Sequence, residues 1–324
     1  MCSASAKWGS TASLTRTPDQ DPGVQRLARR TAKSRILIRR VLGPARDAMS
    51  EGRRRCAVLG SPIGHSLSPR LWSTAYDALG LDWTYDAIEC TADALPGLLA
   101  EMSASGEWAA VSLTMPLKLA AVPLVDTLDA AAAAVGAVNT VVFADDGTRE
   151  GLNTDVPGLG ACLAEVGAVI EDRSAPVVLG GGGTARAAIA ALARAGADLV
   201  EVRVRDTSRA VGLLAVGARC GADVRLVSWP STMAVLDGAS VVVQTTPAGA
   251  ADALAADGWP TDVPLVESLY DPWPTALAVA ALAAGAPVVG GLRLLAHQAS
   301  YAIAAVIGRT VTADQLLAGA GLAP

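Results

Sequence analysis

A run of four glycines after an apolar segment is the part of the sequence with the most readily specified chemistry. Residues 177–185 read Val-Val-Leu-Gly-Gly-Gly-Gly-Thr-Ala, which fits G-x-G-x-x-A between a predicted strand and a predicted helix. In this setting Gly180 allows a tight turn, Gly182 lets backbone amides approach a pyrophosphate, and the helix N-terminus favours negative charge. A flexible turn in an unrelated α/β fold is the alternative. The segment predicts a dinucleotide site formed by Gly180, Gly181, Gly182, Gly183 and Thr184.

The end of the next predicted strand indicates which dinucleotide binds. Arg205 and Arg209 flank Asp206 there. An arginine can pair with the 2′-phosphate of NADP, whereas an acidic side chain prefers the free ribose hydroxyl of NAD. Because Arg205 directly follows the strand and Arg209 supports it, NADP is the predicted cofactor. Solvated charges at the start of a helix are the alternative interpretation.

Lysine, asparagine and histidine are scarce, so their positions are informative. After residue 55 the chain has one lysine, two asparagines and two histidines, which are Lys118, Asn139, Asn153, His65 and His297. Lys118 follows a predicted strand, and Asn153 opens an Asn-Thr-Asp triplet that ends at Asp155. The two histidines are too few and too far apart for a metal site, so we expect structural hydrogen bonds from them and predict no metal.

The elements that must position these residues alternate between short apolar runs and Ala-rich helical stretches, which is typical of an α/β fold. Residues 56–157 form one predicted unit and 158–292 a second, and residues 293–324 return to the first. We expect Ser68 to be the N-cap of a helix that has Pro69 at its first position. We also expect residues 119–134 to be helical in two pieces broken near Pro123.

The composition excludes several classes of protein. Of 324 residues, 52% are hydrophobic and 18% charged, with no uncharged apolar stretch long enough to span a membrane. Residues 1–55 hold 13 basic and 4 acidic groups, against 13 and 27 in the remainder, so the body offers no surface for nucleic acid. Five widely spaced cysteines favour free thiols in a reducing compartment, hence a cytoplasmic location.

The basic extension at residues 1–55 lacks an apolar core of signal-peptide length. We expect an idle, disordered arm or a start codon assigned too far upstream, with Met49 as a natural first residue. A targeting leader and a binding arm are the alternatives.

The ordered motifs resemble the shikimate dehydrogenase family. Its pattern has a P-I-x-H-S-x-S-P opening, a V-T-x-P-x-K loop, a G-A-x-N-T turn, an N-T-D junction, a glycine loop followed by an arginine, a late tyrosine, and a helix that starts G-L-x-x-L-x-x-Q-A. The corresponding segments here are residues 62–69, 113–118, 136–140, 153–155, 180–185 with Arg205, Tyr270, and 291–299. The resemblance spans about residues 56–310 and occurs in the same order.

The resemblance implies an N-terminal α/β substrate domain plus a Rossmann-type dinucleotide-binding domain, with a cleft between them. It also implies an NADP-dependent dehydrogenase that interconverts 3-dehydroshikimate and shikimate in chorismate and aromatic amino acid biosynthesis. The expected partners are small molecules, with neither nucleic acid nor membrane, and the expected assembly is a monomer or a homodimer.

The resemblance also assigns roles to residues. Lys118 and Asp155 would be the catalytic pair, in which the ammonium stabilises and protonates the oxygen that gains charge as hydride reaches the ketone. Ser66 and Ser68 would bind the substrate carboxylate. The remaining implied contacts are ring hydroxyls for Thr114, Asn139 and Gln298, the cleft wall for Tyr270, and the cofactor for Gly291.

Several readings stay open at this stage. Within the same fold, a quinate or aminoshikimate-type dehydrogenase using NAD or NADP is the alternative, because Asp206 departs from the family pattern. A non-catalytic NADP-binding paralogue is an alternative of a different class, against which the joint presence of Lys118 and Asp155 argues. Trp72 stands where the family usually has His, and Gly290 and Arg293 replace Asp and Gly.

Overall fold

The computed structural model describes residues 54–170, 175–229 and 232–323. Of the predicted extension at residues 1–55, residues 1–53 lie outside the described residues. The described residues belong to one compact unit. None of the helices in the described ranges is long and apolar enough to cross a lipid bilayer.

The first half of the described chain builds a mixed six-stranded sheet. Its strands are β1 (Arg55–Gly60), β2 (Thr84–Glu89), β3 (Trp108–Leu113), β4 (Thr127–Leu128), β5 (Thr140–Phe143) and β6 (Arg149–Leu152), in the order β2-β1-β3-β5-β6-β4. β1 pairs in parallel with β2 and β3, and β5 is antiparallel to β3 and β6. The helices between these strands are α1 (Ser68–Leu79), α2 (Leu95–Ser105), α3 (Leu117–Ala120) and α4 (Ala130–Val135).

The second half builds a fully parallel six-stranded sheet. Its strands are β7 (Val177–Leu179), β8 (Leu199–Val204), β9 (Asp223–Ser228), β10 (Val242–Gln244), β11 (Leu265–Glu267) and β12 (Val288–Val289), in the order β12-β11-β10-β7-β8-β9. Its helices are α6 (Gly183–Arg194), α7 (Gly212–Cys220), α8 (Asp252–Ala255) and α9 (Ala276–Ala283). This strand order is that of a dinucleotide-binding fold, whose ligands bind at the β7–β10 switch point. The α/β and Rossmann-type prediction is confirmed.

Two helices connect the sheets. Helix α5 (Asp155–Glu165) leads out of the first, and α10 (Gly291–Ile307) leads back, followed by α11 (Ala313–Gly319). Close packing joins them, because a Cβ built on Gly158 of α5 would lie 3.1 Å from the backbone N of Gln298 in α10. The predicted unit boundaries at 157 and 293 fall inside these helices, and the division into domains stays a prediction.

Apolar side chains cover both faces of each sheet. On the first sheet, Leu71 of α1 and Ile303 of α10 pack over one face, while Leu99 of α2 packs over the other. On the second sheet, Ile189 of α6 and Leu277 of α9 lie on opposite faces. Buried apolar area of this kind is the main stabilising contribution to such layers and holds the ends of the strands in fixed positions.

Two expectations about local structure need correction. Residues 119–134 are helical in separate pieces, but the break is longer than predicted, because after a 3-10 turn at Val122–Leu124 the chain enters β4, which pairs with β6, before helix restarts at α4 with Asp129 as its N-cap. Ser68 is the first residue of α1 rather than its N-cap; Leu67 holds that position, and the backbone N–H of Ser68 donates to Oγ of Ser66.

Candidate active site

Lys118 and Asp155 form an ion pair beyond the carboxyl ends of β3 and β6 in the first sheet. The chain leaves β3, turns through Pro116 and places Lys118 in the short helix α3, while Asp155 begins α5. Lys118 Nζ donates to Asp155 Oδ2 at 2.6 Å, and the two side chains are 16% and 8% exposed. An ammonium in such a partly desolvated position has a fixed direction and interacts more strongly with nearby negative charge than it would in water.

The amide of Asn139 holds the other carboxylate oxygen. Its Nδ2 donates to Asp155 Oδ1 and to Thr154 Oγ1, both at 2.9 Å, and its Oδ1 accepts from the Thr154 backbone N–H at 2.8 Å. Thr140 Oγ1 lies 3.2 Å from the same Oδ1. All four residues are buried. The Asp155 carboxylate is therefore oriented from both sides, by the ammonium and by the amide.

The turn Gly136–Asn139 supports this pair through its backbone. The N–H of Val138 donates to the carbonyl O of Lys118 at 2.8 Å, and the N–H of Asn139 donates to Leu152 O at 2.9 Å. Asn153 Nδ2 donates to the carbonyl of Ala137 at 2.8 Å. One short segment thus contacts both Lys118 and the residues just before Asp155, because β5 lies between β3 and β6 in the sheet.

The predicted carboxylate-binding serines lie at the start of α1, where a residue from the second half of the chain meets them. The Tyr270 hydroxyl contacts the backbone N–H of Leu67 and the side chain of Ser66. Burial raises the pKa of Tyr270, and these two contacts oppose that rise. Ser68 is buried and Ser66 half-buried. The structure therefore brings Ser66, Ser68 and Tyr270 together.

Thr114 and Gln298 belong to different elements, Thr114 directly after β3 and Gln298 in α10. Thr114 follows β3, and its backbone N–H donates to Leu59 O at 2.9 Å. Gln298 projects from α10, where Thr154 Oγ1 lies 3.4 Å from its Oε1 and its Nε2 donates to Leu295 O at 3.0 Å. The amide thus reaches the Asn139 network directly.

The glycine loop has the geometry that phosphate binding requires. Gly180 has φ +114°, and a Cβ there would lie 2.6 Å from Thr245 Oγ1, so only glycine fits. Gly182 is the N-cap residue of α6, and among the described residues no side chain caps that helix. Its first N–H groups are therefore available to an anion. Thr184 lies in this first turn.

The glycine loop directly adjoins the ion pair. A Cβ built on Gly183 would lie 3.2 Å from Cδ of Lys118. The lysine stem therefore lies against the first turn of α6, and its ammonium lies near the end of the helix that can hold a pyrophosphate. This contact connects the predicted cofactor site to the predicted catalytic residues.

The side chains predicted to choose the cofactor are exposed beyond β8. Arg205 and Arg209 are solvent-exposed, and Asp206 Oδ1 accepts from the backbone N–H of Ser208 at 2.9 Å and from its hydroxyl at 2.6 Å. The pKa of Asp206 is lowered mainly by the bond from the Ser208 hydroxyl, and further by the Ser208 backbone N–H and the charge of Arg209. The carboxylate is engaged within its own turn, while both guanidinium groups face solvent.

Gly291 begins α10 against the end of β11. A Cβ there would lie 2.4 Å from Ser268 O, and the Gly291 N–H donates to Leu269 O at 3.1 Å.

The sequence did not point to Glu267, which is the last residue of β11. Its side chain is fully buried and accepts from Leu269 N–H and the Thr275 hydroxyl. Burial raises the pKa of Glu267 to about 7. Its position at a strand end was the available signal.

The histidines are placed differently. His65 is exposed beside the serines. His297 Nε2 lies 2.7 Å from Oε1 of Glu165, which also accepts from Arg293, and these partners lower the pKa of Glu165, Arg293 first. The expected structural hydrogen bond is therefore present for His297.

Comparison with known protein families gives one match for the first sheet. The family described as "Shikimate dehydrogenase substrate binding domain" matches residues 58–141. That range contains the serine loop, Lys118 and Asn139.

Individual relatives cover nearly the whole described chain. "Shikimate dehydrogenase (NADP(+))" of Paramagnetospirillum magneticum is 37% identical over 83% of this chain and 99% of its own length. The crystal structure of Mycobacterium tuberculosis shikimate dehydrogenase is 37% identical, with a TM-score of 0.73 over 83% of this chain and 99% of that one. A Thermus thermophilus shikimate 5-dehydrogenase solved with NADP(H) and shikimate is 33% identical, with a TM-score of 0.71 over 83% and 98%.

Proposed function

Because this chain belongs to the shikimate dehydrogenase family, we propose that it catalyses the reversible, NADPH-dependent reduction of 3-dehydroshikimate to shikimate. The enzyme is thus an NADP-dependent oxidoreductase acting on a CH–OH group. The observation that carries this reading for the chain's own residues is the contact of Lys118 with both Asp155 and Gly183.

NADPH, when bound, supplies the hydride that adds to the carbonyl carbon. Lys118 then has the decisive role, since its ammonium can donate a hydrogen bond to the carbonyl oxygen and transfer a proton as negative charge develops there. Asp155 keeps that amine charged and directed, and it can accept a hydrogen bond from a ring hydroxyl. In the reverse direction the neutral amine of Lys118 would accept the hydroxyl proton while the carbon gives its hydride to bound NADP⁺.

The substrate contacts follow from the arrangement of the polar groups. We assign the carboxylate to the hydroxyls of Ser66 and Ser68, with Tyr270 closing over it. Thr114, Asn139 and Gln298 are assigned to the ring hydroxyls. A polyol read by several buried partners is discriminated sharply, because each missing hydroxyl leaves a buried polar group unpaired.

The cofactor is NADP(H), and the loop Gly180–Thr184 has the geometry to cradle its pyrophosphate. We assign the 2′-phosphate to Arg205 and Arg209, because both guanidinium groups are exposed while Asp206 is occupied by Ser208. Gly291 is assigned to the nicotinamide end, where only glycine fits because a Cβ would clash with the backbone of Ser268 and Leu269.

Three expectations stay predictions. The proposed division is into two domains: a substrate domain at residues 56–157 and 293–324, and an NADP-binding domain at residues 158–292. A monomer or homodimer and a cytoplasmic location rest on the sequence alone.

One steady-state comparison tests the function. Shikimate and quinate are each oxidised with NADP and with NAD, and shikimate with NADP is expected to give the highest kcat/KM. A preference for quinate with NAD would favour the alternative, a quinate dehydrogenase, which the presence of Asp206 suggests. The quinate dehydrogenase of Corynebacterium glutamicum, solved with NAD, is 27% identical to this chain. No turnover with any pair would favour the non-catalytic paralogue.

A further inference from the structure

Two arginines of the second half of the chain reach the helix that precedes the Gly136–Asn139 turn. Arg186 lies in the first turns of α6, and its Nη1 donates to the carbonyl O of Val135 at 3.0 Å. Arg219 lies in the last turn of α7, and its Nε donates to Ala134 O at 2.7 Å. Both acceptors are at the C-terminus of α4.

The two guanidinium groups converge on one point of the backbone. Gly136 ends α4 with φ +62°, and a Cβ there would lie 3.5 Å from Arg186 Nη1 and from Arg219 Nη2. Gly212 of α7 lets Arg186 pass, since a Cβ at Gly212 would lie 3.1 Å from its Nη2. Close approach of like charges is unfavourable, and it is offset here by the negative end of the α4 dipole and by the carbonyls that lack helical partners.

The arrangement carries a cost, which argues that it serves a purpose. Burial lowers the pKa of Arg186, and the charge of Arg219 lowers it further. Arg186 Nε is also buried without a hydrogen-bond partner among the described residues. A guanidinium placed only for solubility would face water, whereas that of Arg186 donates to the Val135 carbonyl, 51 residues away in sequence.

The anchored helix leads directly into the support of the ion pair. Three residues after Gly136, Asn139 holds Asp155 through its amide, and Val138 holds the backbone of Lys118. Arg186 itself is three residues after Gly183, the glycine that touches the Lys118 stem. The helix that cradles the cofactor and the turn that orients the ion pair are thus joined by one side chain.

We propose that Arg186, assisted by Arg219, is a positioning residue that fixes the Gly136–Asn139 turn, and with it Lys118 and Asp155, relative to the cofactor loop. Neither arginine reaches substrate; each acts through the α4 carbonyls. The inference rests on the proposed function only in that turnover of shikimate serves as the measurement.

The test compares Arg186→Met with Arg186→Lys, Arg219→Gln and a matched control, Arg225→Gln. Arg225 lies on β9, is 55% exposed and pairs with Glu201 within the second sheet. We expect Arg186→Met to lower kcat about tenfold, within the ~10²-fold that a 1 Å misplacement can cost, with KM for NADP unchanged. Arg186→Lys keeps the charge and one donor and should recover part of the loss, while Arg219→Gln should show a smaller loss.

A double-mutant cycle identifies the route of the effect. If Arg186 acts through the turn, Arg186→Met costs much less in an Asn139→Ala background than in the wild type. Equal costs in both backgrounds, a kcat matching that of Arg225→Gln, or a rise in KM for NADP with unchanged kcat would each overturn the proposal. If Arg186→Met fails to fold, Arg186→Lys and Arg219→Gln decide by the same criteria. An inactive wild type would instead refute the proposed function.

Discussion

We expect Glu267 to make the stability of this protein depend on pH in a direction opposite to that of a paired surface carboxylate. The side chain is fully buried at the end of β11, and burial raises its pKa to about 7 from an ordinary 4.5. Between these values the folded chain binds a proton that the unfolded chain has released. Stability is therefore full below about pH 4.5 and falls as pH rises towards 7.

The structure sets the size of the effect. At about 1.4 kcal/mol per pH unit, the interval from 4.5 to about 7 corresponds to a loss of about 3 to 4 kcal/mol. The hydrogen bonds from Leu269 N–H and the Thr275 hydroxyl already oppose the rise and are included in that pKa. Glu267→Gln preserves the shape and an acceptor for Leu269 and stays neutral at every pH.

Urea unfolding of the wild type and the variant, measured between about pH 5 and pH 8, isolates this group, because other titrations cancel in the difference. Relative to the wild type, Glu267→Gln should gain up to about 3 kcal/mol of unfolding free energy across that range. Glu107→Gln, at an exposed carboxylate, serves as the control and should show no such trend. A difference that stays flat with pH for Glu267→Gln would refute the reasoning.

Three further predictions concern the site. Lys118→Ala should lower kcat by about 10² to 10⁴ with little change in KM, the usual effect of losing a positioned proton donor, and an effect confined to KM would mean that Lys118 only binds. Arg205→Ala should weaken NADPH binding more than NADH binding in fluorescence titrations, since only NADPH carries the 2′-phosphate; equal losses would reject that assignment. Gly180→Ala should raise the Kd for NADP and lower Tm, because its φ of +114° and the 2.6 Å approach to Thr245 exclude a Cβ; unchanged binding would show that the loop rearranges freely.

Local signals in the sequence predicted much of this protein. The glycine run predicted the turn between β7 and α6, because left-handed backbone and close approach demand that residue type. The family resemblance, confirmed by relatives across 83% of the chain, rested on short motifs whose residues are neighbours in sequence. Strands with uniform apolar runs were also predictable, since both faces of the second sheet are covered.

Two local predictions failed, for different reasons. Ser68 has the residue type of an N-cap, yet Leu67 takes that position and the backbone N–H of Ser68 donates to Oγ of Ser66. The stretch after Pro123 has helical composition, yet β6 recruits two of its residues as an edge strand. At β4 a tertiary contact outweighed a local preference.

The sequence by itself determined the fold class, the cofactor loop and the family, because each depends on residue types at fixed spacing. Only the tertiary structure decided that Lys118 also contacts Gly183, that Arg186 reaches from the cofactor helix to α4, and that Glu267 is fully buried. Distances between residues far apart in the chain, and the desolvation that shifts a pKa, are set by how sheets and helices pack, which no local pattern encodes.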